Sequence, residues 1–534
     1  AIYGVAPASS PRSLVDILRA TITAHPDVAA IEAADGAITY GELESILDAE
    51  AVRLAGLGVT RGSRVGIRVP SGTTDLYVAI LATIWAGAAY VPVDWNDPDS
   101  RATTVWEEAG VDAVYGENLS LTRMRDDLPA VTETQPPGLD DDAWIIFTSG
   151  TTGKPKGVAI PHRSAGAWVE AEARLYLVDS PPDPRDRVMA GLSVGFDASC
   201  EEMWLAWRYG ATLVAADRDT VRAGDVLGDW IIEQGITIVS TVPTLAAFWP
   251  SEAFDKVRLL IFGGEACPLE LVERLVAPGR EVWNTYGPTE TTVIVSGQLM
   301  TPDPPVRIGR PIPGWELAVV DADGVPVKWG EIGELVVGGV GLGRYLDREK
   351  DSEVYAPLPA LGWERAYRTG DLVQAEHEGL IFHGRADDQI KFAGRRLELG
   401  EVDAQLTALP DVRVGSAALH KTAAGSDVLV GYLVAERGTT IDLADARARL
   451  ATTLPGGIVP TLCVLDDMPM KTSGKVDRKA LPWPLPDTGR EASELPAELT
   501  WLAERWAAQL GPVPLSPDSD FFDMGRSSVA IAKL

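Results

Sequence analysis

Hydrophobic and polar positions follow two rhythms along most of this chain. In Ser13-Leu-Val-Asp-Ile-Leu-Arg-Ala the apolar residues recur at helical spacing, with Ser13 placed to cap the helix. Arg64-Val-Gly-Ile-Arg-Val is instead a short β-branched run, closed by the loop signal Pro70-Ser-Gly. The run from Leu76 to Val93 is apolar almost throughout. Its length is borderline for a membrane span, but Gly87 and Pro92 interrupt it, and a buried helix running into a buried strand explains it better. Tyr90-Val-Pro-Val, Trp144-Ile-Ile-Phe, Val188-Met-Ala-Gly-Leu, Ile236-Thr-Ile-Val and Leu259-Leu-Ile-Phe each lie between turn or helix signals. Strands interleaved with helices predict α/β layers from about residue 11 to 385. From Leu317 to Val337 the pattern turns to antiparallel hairpins, with Asp321-Ala-Asp-Gly as a turn.

A chain of 534 residues is too long for one hydrophobic core, so a multi-domain α/β protein is expected. Residues 1–385 read as a large N-terminal unit and 386–481 as a smaller α+β unit. Residues 482–495 have the composition of a linker, and a new amphipathic helix begins near Pro496 and continues through Trp501, Trp506 and Leu510. The net charge of -30 argues against a nucleic-acid-binding surface, which needs a basic face. It is compatible with a cationic substrate, although solubility alone explains most acidic surfaces. Cys200, Cys267 and Cys463 form no CxxC pair, and buried thiols in a reducing cytosol are expected. No signal peptide is visible, and Ala1 in place of Met reads as a processed or trimmed start. A cytoplasmic protein is the expectation.

The strongest chemical signal is Phe147-Thr-Ser-Gly-Thr-Thr-Gly-Lys-Pro-Lys-Gly, directly after a strand. Glycines let backbone N–H groups approach an anion, hydroxyls donate hydrogen bonds and lysines supply charge. It is not a Walker A loop, because the spacing from Gly150 to Gly153 is too short and Pro155 follows Lys154.

This string resembles the phosphate loop of the adenylate-forming enzymes, a superfamily that includes acyl-CoA ligases, luciferases and the adenylation domains of nonribosomal peptide synthetases. Tyr90-Val-Pro-Val-Asp, Phe196-Asp-Ala-Ser, Asn284-Thr-Tyr-Gly-Pro-Thr-Glu, Tyr367-Arg-Thr-Gly-Asp, Gly384-Arg-Ala-Asp-Asp-Gln-Ile-Lys and Ser473-Gly-Lys-Val-Asp-Arg resemble peptide-synthetase core motifs in the same order. The resemblance implies a large N-terminal domain and a small mobile C-terminal domain. It implies that Thr148, Ser149, Gly150, Thr151, Thr152, Gly153 and Lys154 hold the ATP phosphates and that Glu290 binds Mg²⁺. Gly264, Glu265, Asn284, Thr285 and Tyr286 are then expected around the adenine, with Asp371 on the ribose hydroxyls and Arg385 near ribose or phosphates. Phe382 stands where the family often has tyrosine, which keeps stacking and loses a hydroxyl. Lys475 is the expected catalytic residue and Asp387 the expected hinge.

In peptide synthetases an aspartate at the position of Asp197 binds the substrate α-ammonium, and plain carboxylic acids have no need of it. The family pocket maps onto Asp197, Ala198, Glu201, Ser240, Ile261, Gly263, Thr285, Val293, Ile294 and Lys475. Gly263 leaves room, while Ile261, Val293 and Ile294 suit a methylene chain. A buried Glu201 is costly unless paired, and a substrate side-chain ammonium would pair it, with Ser240 as an additional acceptor. L-lysine fits best; ornithine, 2,4-diaminobutyrate and β-lysine are close competitors. Arg68-Val-Pro-Ser-Gly-Thr and Ala89-Tyr-Val-Pro-Val-Asp resemble poly-lysine synthetases, whose membrane-attached polymerising region is not represented in this chain.

Asp520-Phe-Phe-Asp-Met-Gly-Arg-Ser-Ser resembles a carrier-protein motif, so residues 496–534 are expected to be a truncated carrier domain. Ser528 aligns with the serine that takes 4′-phosphopantetheine, and Ser527 competes if the alignment slips by one. An MbtH-like helper protein is a further partner known in the family. Two alternatives stay open: an acyl- or aryl-CoA ligase of the same fold, and a non-catalytic nucleotide-binding module.

Overall fold

The helix Thr74–Trp85 is buried from Leu76 to Trp85 and leads into the buried strand Ala89–Pro92. This is the helix-to-strand reading of the long apolar run, and a helix apolar on all sides belongs in a core. The computed structural model describes residues 1–485 apart from 5, 130, 149–154, 248, 387–388, 393–394, 423–426, 455–457 and 471–475. None of the described helices is long and apolar enough to cross a membrane. Ser13 caps the helix Leu14–Ala24 as expected: its Oγ accepts from the Asp16 N–H at 3.1 Å, and the Asp16 carboxylate accepts from the Ser13 N–H at 3.1 Å.

Among the described residues, two large sheets form the α/β body. One has a parallel centre of Ala89–Pro92, Arg64–Ile67 and Ala113–Tyr115, joined through Asp142–Thr148 to antiparallel strands at the edge. The other places Glu281–Tyr286, Leu259–Phe262, Ile238–Thr241, Arg187–Ala190, Thr212–Ala215 and Ala29–Ala33 side by side in parallel. Strands such as Leu259–Phe262 are buried along their whole length, as inner strands covered on both faces must be. Register sets Ser240 beside Ile261 and Ile261 beside Trp283, so the carboxyl ends of these strands finish together. That edge is where open α/β sheets bind ligands.

The hairpin reading of Leu317 to Val337 is also met. Trp315–Val320, Ile332–Gly339, Tyr367–Glu376 and Gly379–Arg385 form an antiparallel sheet, and the Asp321 N–H closes its turn on the Val325 carbonyl at 2.9 Å. A smaller unit follows, with strands Val412–Lys421, Asp427–Ala435 and Thr461–Val464 packed against the helices Leu399–Thr407 and Leu443–Thr453. The proline-rich stretch after it begins packed on this unit. The Trp483 ring stacks on His420 with centroids 4.8 Å apart, and its indole N–H donates to the Lys421 carbonyl at 3.0 Å. Cys200, Cys267 and Cys463 are free and buried. The rest of the proposed linker and the whole carrier segment, with Ser527 and Ser528, lie outside the described residues.

Candidate active site

The helix Ala198–Trp207 brings the proposed amino-acid pocket together. Asp197 occupies its N-cap position and Glu201 lies in its first turn. The two residues are four apart, about 6 Å along the axis, and face the same side. Near the N-terminus both carboxylates sit at the positive end of the helix dipole. Asp197 Oδ2 is buried and makes no hydrogen bond. Burial pushes the Asp197 pKa up to about 7, with Glu290 adding to the rise and the Thr289 hydroxyl opposing it.

Glu201 is buried, at 3% exposure. The Tyr176 hydroxyl donates to its Oε1 at 3.1 Å, and the Ser240 hydroxyl donates to Oε2. Ser240 thus spends its proton on Glu201 and keeps only lone pairs for a ligand. Burial raises the Glu201 pKa against these hydrogen bonds. Ile261 and Ser240 are neighbours on adjacent strands, and a side chain at Gly263 would come within 2.9 Å of Thr285 Oγ1. Thr292 and Val293 follow the Thr289–Thr291 turn at φ of 67° and 59°. Two consecutive β-branched residues in the left-handed region store strain, and such strain clusters at ligand sites.

The proposed nucleotide side is assembled from the ends of other strands. Asn284 donates from Nδ2 to the Arg307 carbonyl at 2.7 Å, while its buried Oδ1 has no partner. Tyr286 donates its hydroxyl to Asp371, and Arg385 donates to Asp371 Oδ1 at 2.8 Å. Phe382 lies 6.4 Å from the Tyr286 ring, centroid to centroid. Gly264 follows the strand Leu259–Phe262 with φ of 75°, and the next residue, Glu265, accepts from the Thr244 N–H and hydroxyl. Glu290 is buried and accepts from the Tyr345 hydroxyl at 2.7 Å. Thr148, Phe196, Thr289 and Leu397 line a cleft open to solvent. Ser149, Gly150, Thr151, Thr152, Gly153, Lys154, Asp387 and Lys475 lie outside the described residues.

Sequence reasoning passed over Glu172, Tyr176, Thr289 and Tyr345. Glu172 carried a readable signal: Ala165, Trp168, Val169 and Glu172 share the helical spacing of a buried face, so a carboxyl ends an otherwise apolar stripe.

A family model described as AMP-binding enzyme matches residues 18–345. The chain belongs to that family. The type is that of nonribosomal peptide synthetase adenylation domains. This AMP-binding enzyme is 35% identical to phosphinothricin tripeptide synthetase PhsC of Streptomyces viridochromogenes, over 98% of this chain and 50% of that one. It is 34% identical to delta-poly-L-ornithine synthetase of Acinetobacter baumannii, over 98% of this chain and 41% of that one. It therefore spans half the length, or less, of these two relatives. Its fold is shared by holo-PA1221, an NRPS protein containing adenylation and PCP domains, with a TM-score of 0.82 and 24% identity over 98% of this chain and 91% of that one.

Proposed function

We propose that this AMP-binding enzyme activates a basic amino acid, with L-lysine the best fit, to an aminoacyl adenylate. The observation that carries this reading is the pair of buried carboxylates on one helix face. Asp197 has an unsatisfied oxygen, and Glu201 meets no cation among the described residues. A basic amino acid brings one ammonium for each, and a buried carboxylate gains most from such a partner. Ile261, Val293 and Ile294 would flank the methylenes between them. The relative named for poly-L-ornithine supports a basic substrate, though not a particular one.

In the reaction a carboxylate oxygen attacks the α-phosphorus of ATP, and the bond from that phosphorus to the bridging oxygen breaks to release pyrophosphate. Negative charge spreads over the phosphoryl oxygens, which the Lys475 ammonium and the Thr148 to Lys154 loop would stabilise. Glu290 fits Mg²⁺ as a hard oxygen ligand that leaves the remaining positions to phosphate and water, and the ion when bound would neutralise phosphate charge. Asn284 and Tyr286 would border the adenine, while Asp371 and Arg385 would hold the ribose. Asp387 would serve as the hinge that withdraws Lys475 before a carrier thiol, 4′-phosphopantetheine on Ser528, attacks the acyl carbon and expels AMP.

Amino-acid-dependent ATP–pyrophosphate exchange tests this reading, using the proteinogenic amino acids with ornithine, diaminobutyrate and β-lysine. Lysine or a close homologue should stimulate exchange, and Glu201→Gln should lower kcat/KM for it roughly a hundredfold. Stimulation by neutral amino acids or plain carboxylic acids alone would overturn the pocket assignment.

A further inference from the structure

Glu172 ends the helix His162–Glu172 and is 3% exposed. Its carboxyl hydrogen-bonds to that of Glu201, and its Oε1 is buried with no partner. Among the described residues no lysine or arginine pairs with either carboxyl. The Tyr176 and Ser240 hydroxyls and the Trp168 indole face the pair, with the Tyr209 phenol, the Cys200 thiol and Glu202 near enough to feel its charge. Two carboxyls in contact within an apolar wall cannot both ionise, so the pair holds one shared proton. Glu201 accepts from two hydroxyls while Glu172 Oε1 accepts from none, so the anion is better held on Glu201 and the proton on Glu172, whose pKa burial and the nearness of Glu201 push up. A wall built only for packing would do better with two apolar side chains of similar volume.

We propose that Glu172 is a specificity-determining residue which, with Glu201, forms a two-carboxyl receptor for the distal ammonium of the substrate. The proposal rests on the amino-acid-activating reading of the same pocket. Glu172 donates its O–H to Glu201 and offers the unpartnered Oε1 to an ammonium hydrogen, while Glu201 supplies the negative charge. One carboxylate, one neutral carboxyl and one ammonium leave the buried site electrically neutral. A three-donor ammonium can reach both carboxyls at once, and a neutral side chain leaves both unsatisfied. Discrimination against isosteres that lack a hydrogen-bonding group is strong when buried polar groups are left unpaired.

The arrangement distinguishes two substitutions of Glu172. Glutamine reproduces a protonated glutamate, with an amide N–H for Glu201 and an oxygen for the ammonium. Leucine keeps the bulk and removes both. ATP–pyrophosphate exchange with lysine and with norleucine, its neutral counterpart, would be measured for wild type, Glu172→Gln and Glu172→Leu, with thermal melts to establish folding. Glu172→Gln should keep the lysine KM within about threefold of wild type. Glu172→Leu should raise the lysine KM at least about tenfold and leave norleucine turnover equal or improved. A folded Glu172→Leu enzyme that preserves the lysine-to-norleucine ratio overturns the Glu172 proposal and spares the basic-substrate reading. So does a Glu172→Gln enzyme as impaired as Glu172→Leu. A wild-type enzyme that takes no basic amino acid overturns both.

Discussion

Glu201 and Glu202 are adjacent on the helix Ala198–Trp207 and both are buried, yet their surroundings differ in kind. Glu202 accepts from the backbone N–H groups of Gly191 at 3.0 Å and Leu192 at 3.1 Å, which oppose the strong upward push of burial on its pKa, with Arg218 adding a weaker pull in the same direction. It ties the helix to the end of the strand Arg187–Ala190 and is complete within the protein. Glu201 faces hydroxyls and a second carboxyl, and its charge has no counterpart among the described residues. The same contrast separates the two sides of the proposed site. Asp371 is held by Arg385 and Tyr286, whereas Asp197 retains an unsatisfied oxygen. Glu202 is satisfied by backbone N–H groups and Asp371 by an arginine, whereas Asp197 keeps an unsatisfied oxygen and Glu201 meets only hydroxyls and a carboxyl.

The strongest way to break this contrast is Asp197→Asn. Amino-acid-dependent exchange should fall roughly a hundred- to a thousandfold, the cost of removing one partner from a buried ammonium–carboxylate pair. The ligand-free protein should become more stable at the same time. Burial raises the folded-state pKa of Asp197 to about 7, so folding favours the protonated form. That penalty is absent below about pH 4 and grows as pH rises toward about 7. The variant should therefore melt higher than wild type at pH 8 and at the same temperature at pH 4. An equal melting difference at both values would show that Asp197 does not titrate as described.

Glu202→Ala should give the opposite result. It leaves the buried Gly191 N–H and the half-buried Leu192 N–H unpaired, at up to about 1–3 kcal/mol each, and thermal unfolding at pH 4, where the raised pKa of Glu202 carries no ionisation penalty, should shift down by several degrees. The KM for lysine should stay within about threefold, because Glu202 has no part in the pocket. A large change in KM without loss of stability would erase the distinction between the two glutamates.

That distinction was only partly legible in the sequence. The helix–strand alternation, the Ser13 cap and the Asp321 turn rest on local chemistry and could be read directly. Asp197 and Glu201 were legible through the ordered motifs that surround them. Glu172 and Tyr176 were not, because they reach Glu201 from a segment about 25 residues earlier in the chain, and that contact exists only after the helices pack. Side-chain period marks Glu172 as inward-facing but does not say what it meets. The Arg258 pair of Asp186 shows the same limit, since a buried carboxylate satisfied at 2.6 Å by an arginine distant in sequence looks no different in sequence from one awaiting a ligand.

Ser240→Ala is the smallest change that still sharpens the comparison. The Ser240 hydroxyl is one of two hydroxyls that donate to Glu201 and favours its ionised form. Its loss should raise the lysine KM by about tenfold, within the range for a hydrogen bond to a charged group. The pH dependence carries the information. Without Ser240 the Glu201 carboxylate holds a proton more tightly, so the variant should be further impaired at pH 6 than at pH 8. A loss uniform across that range would mean that Ser240 shapes the wall without tuning the charge. A loss confined to low pH would tie the hydroxyl to the ionisation of Glu201, the property that separates it from Glu202.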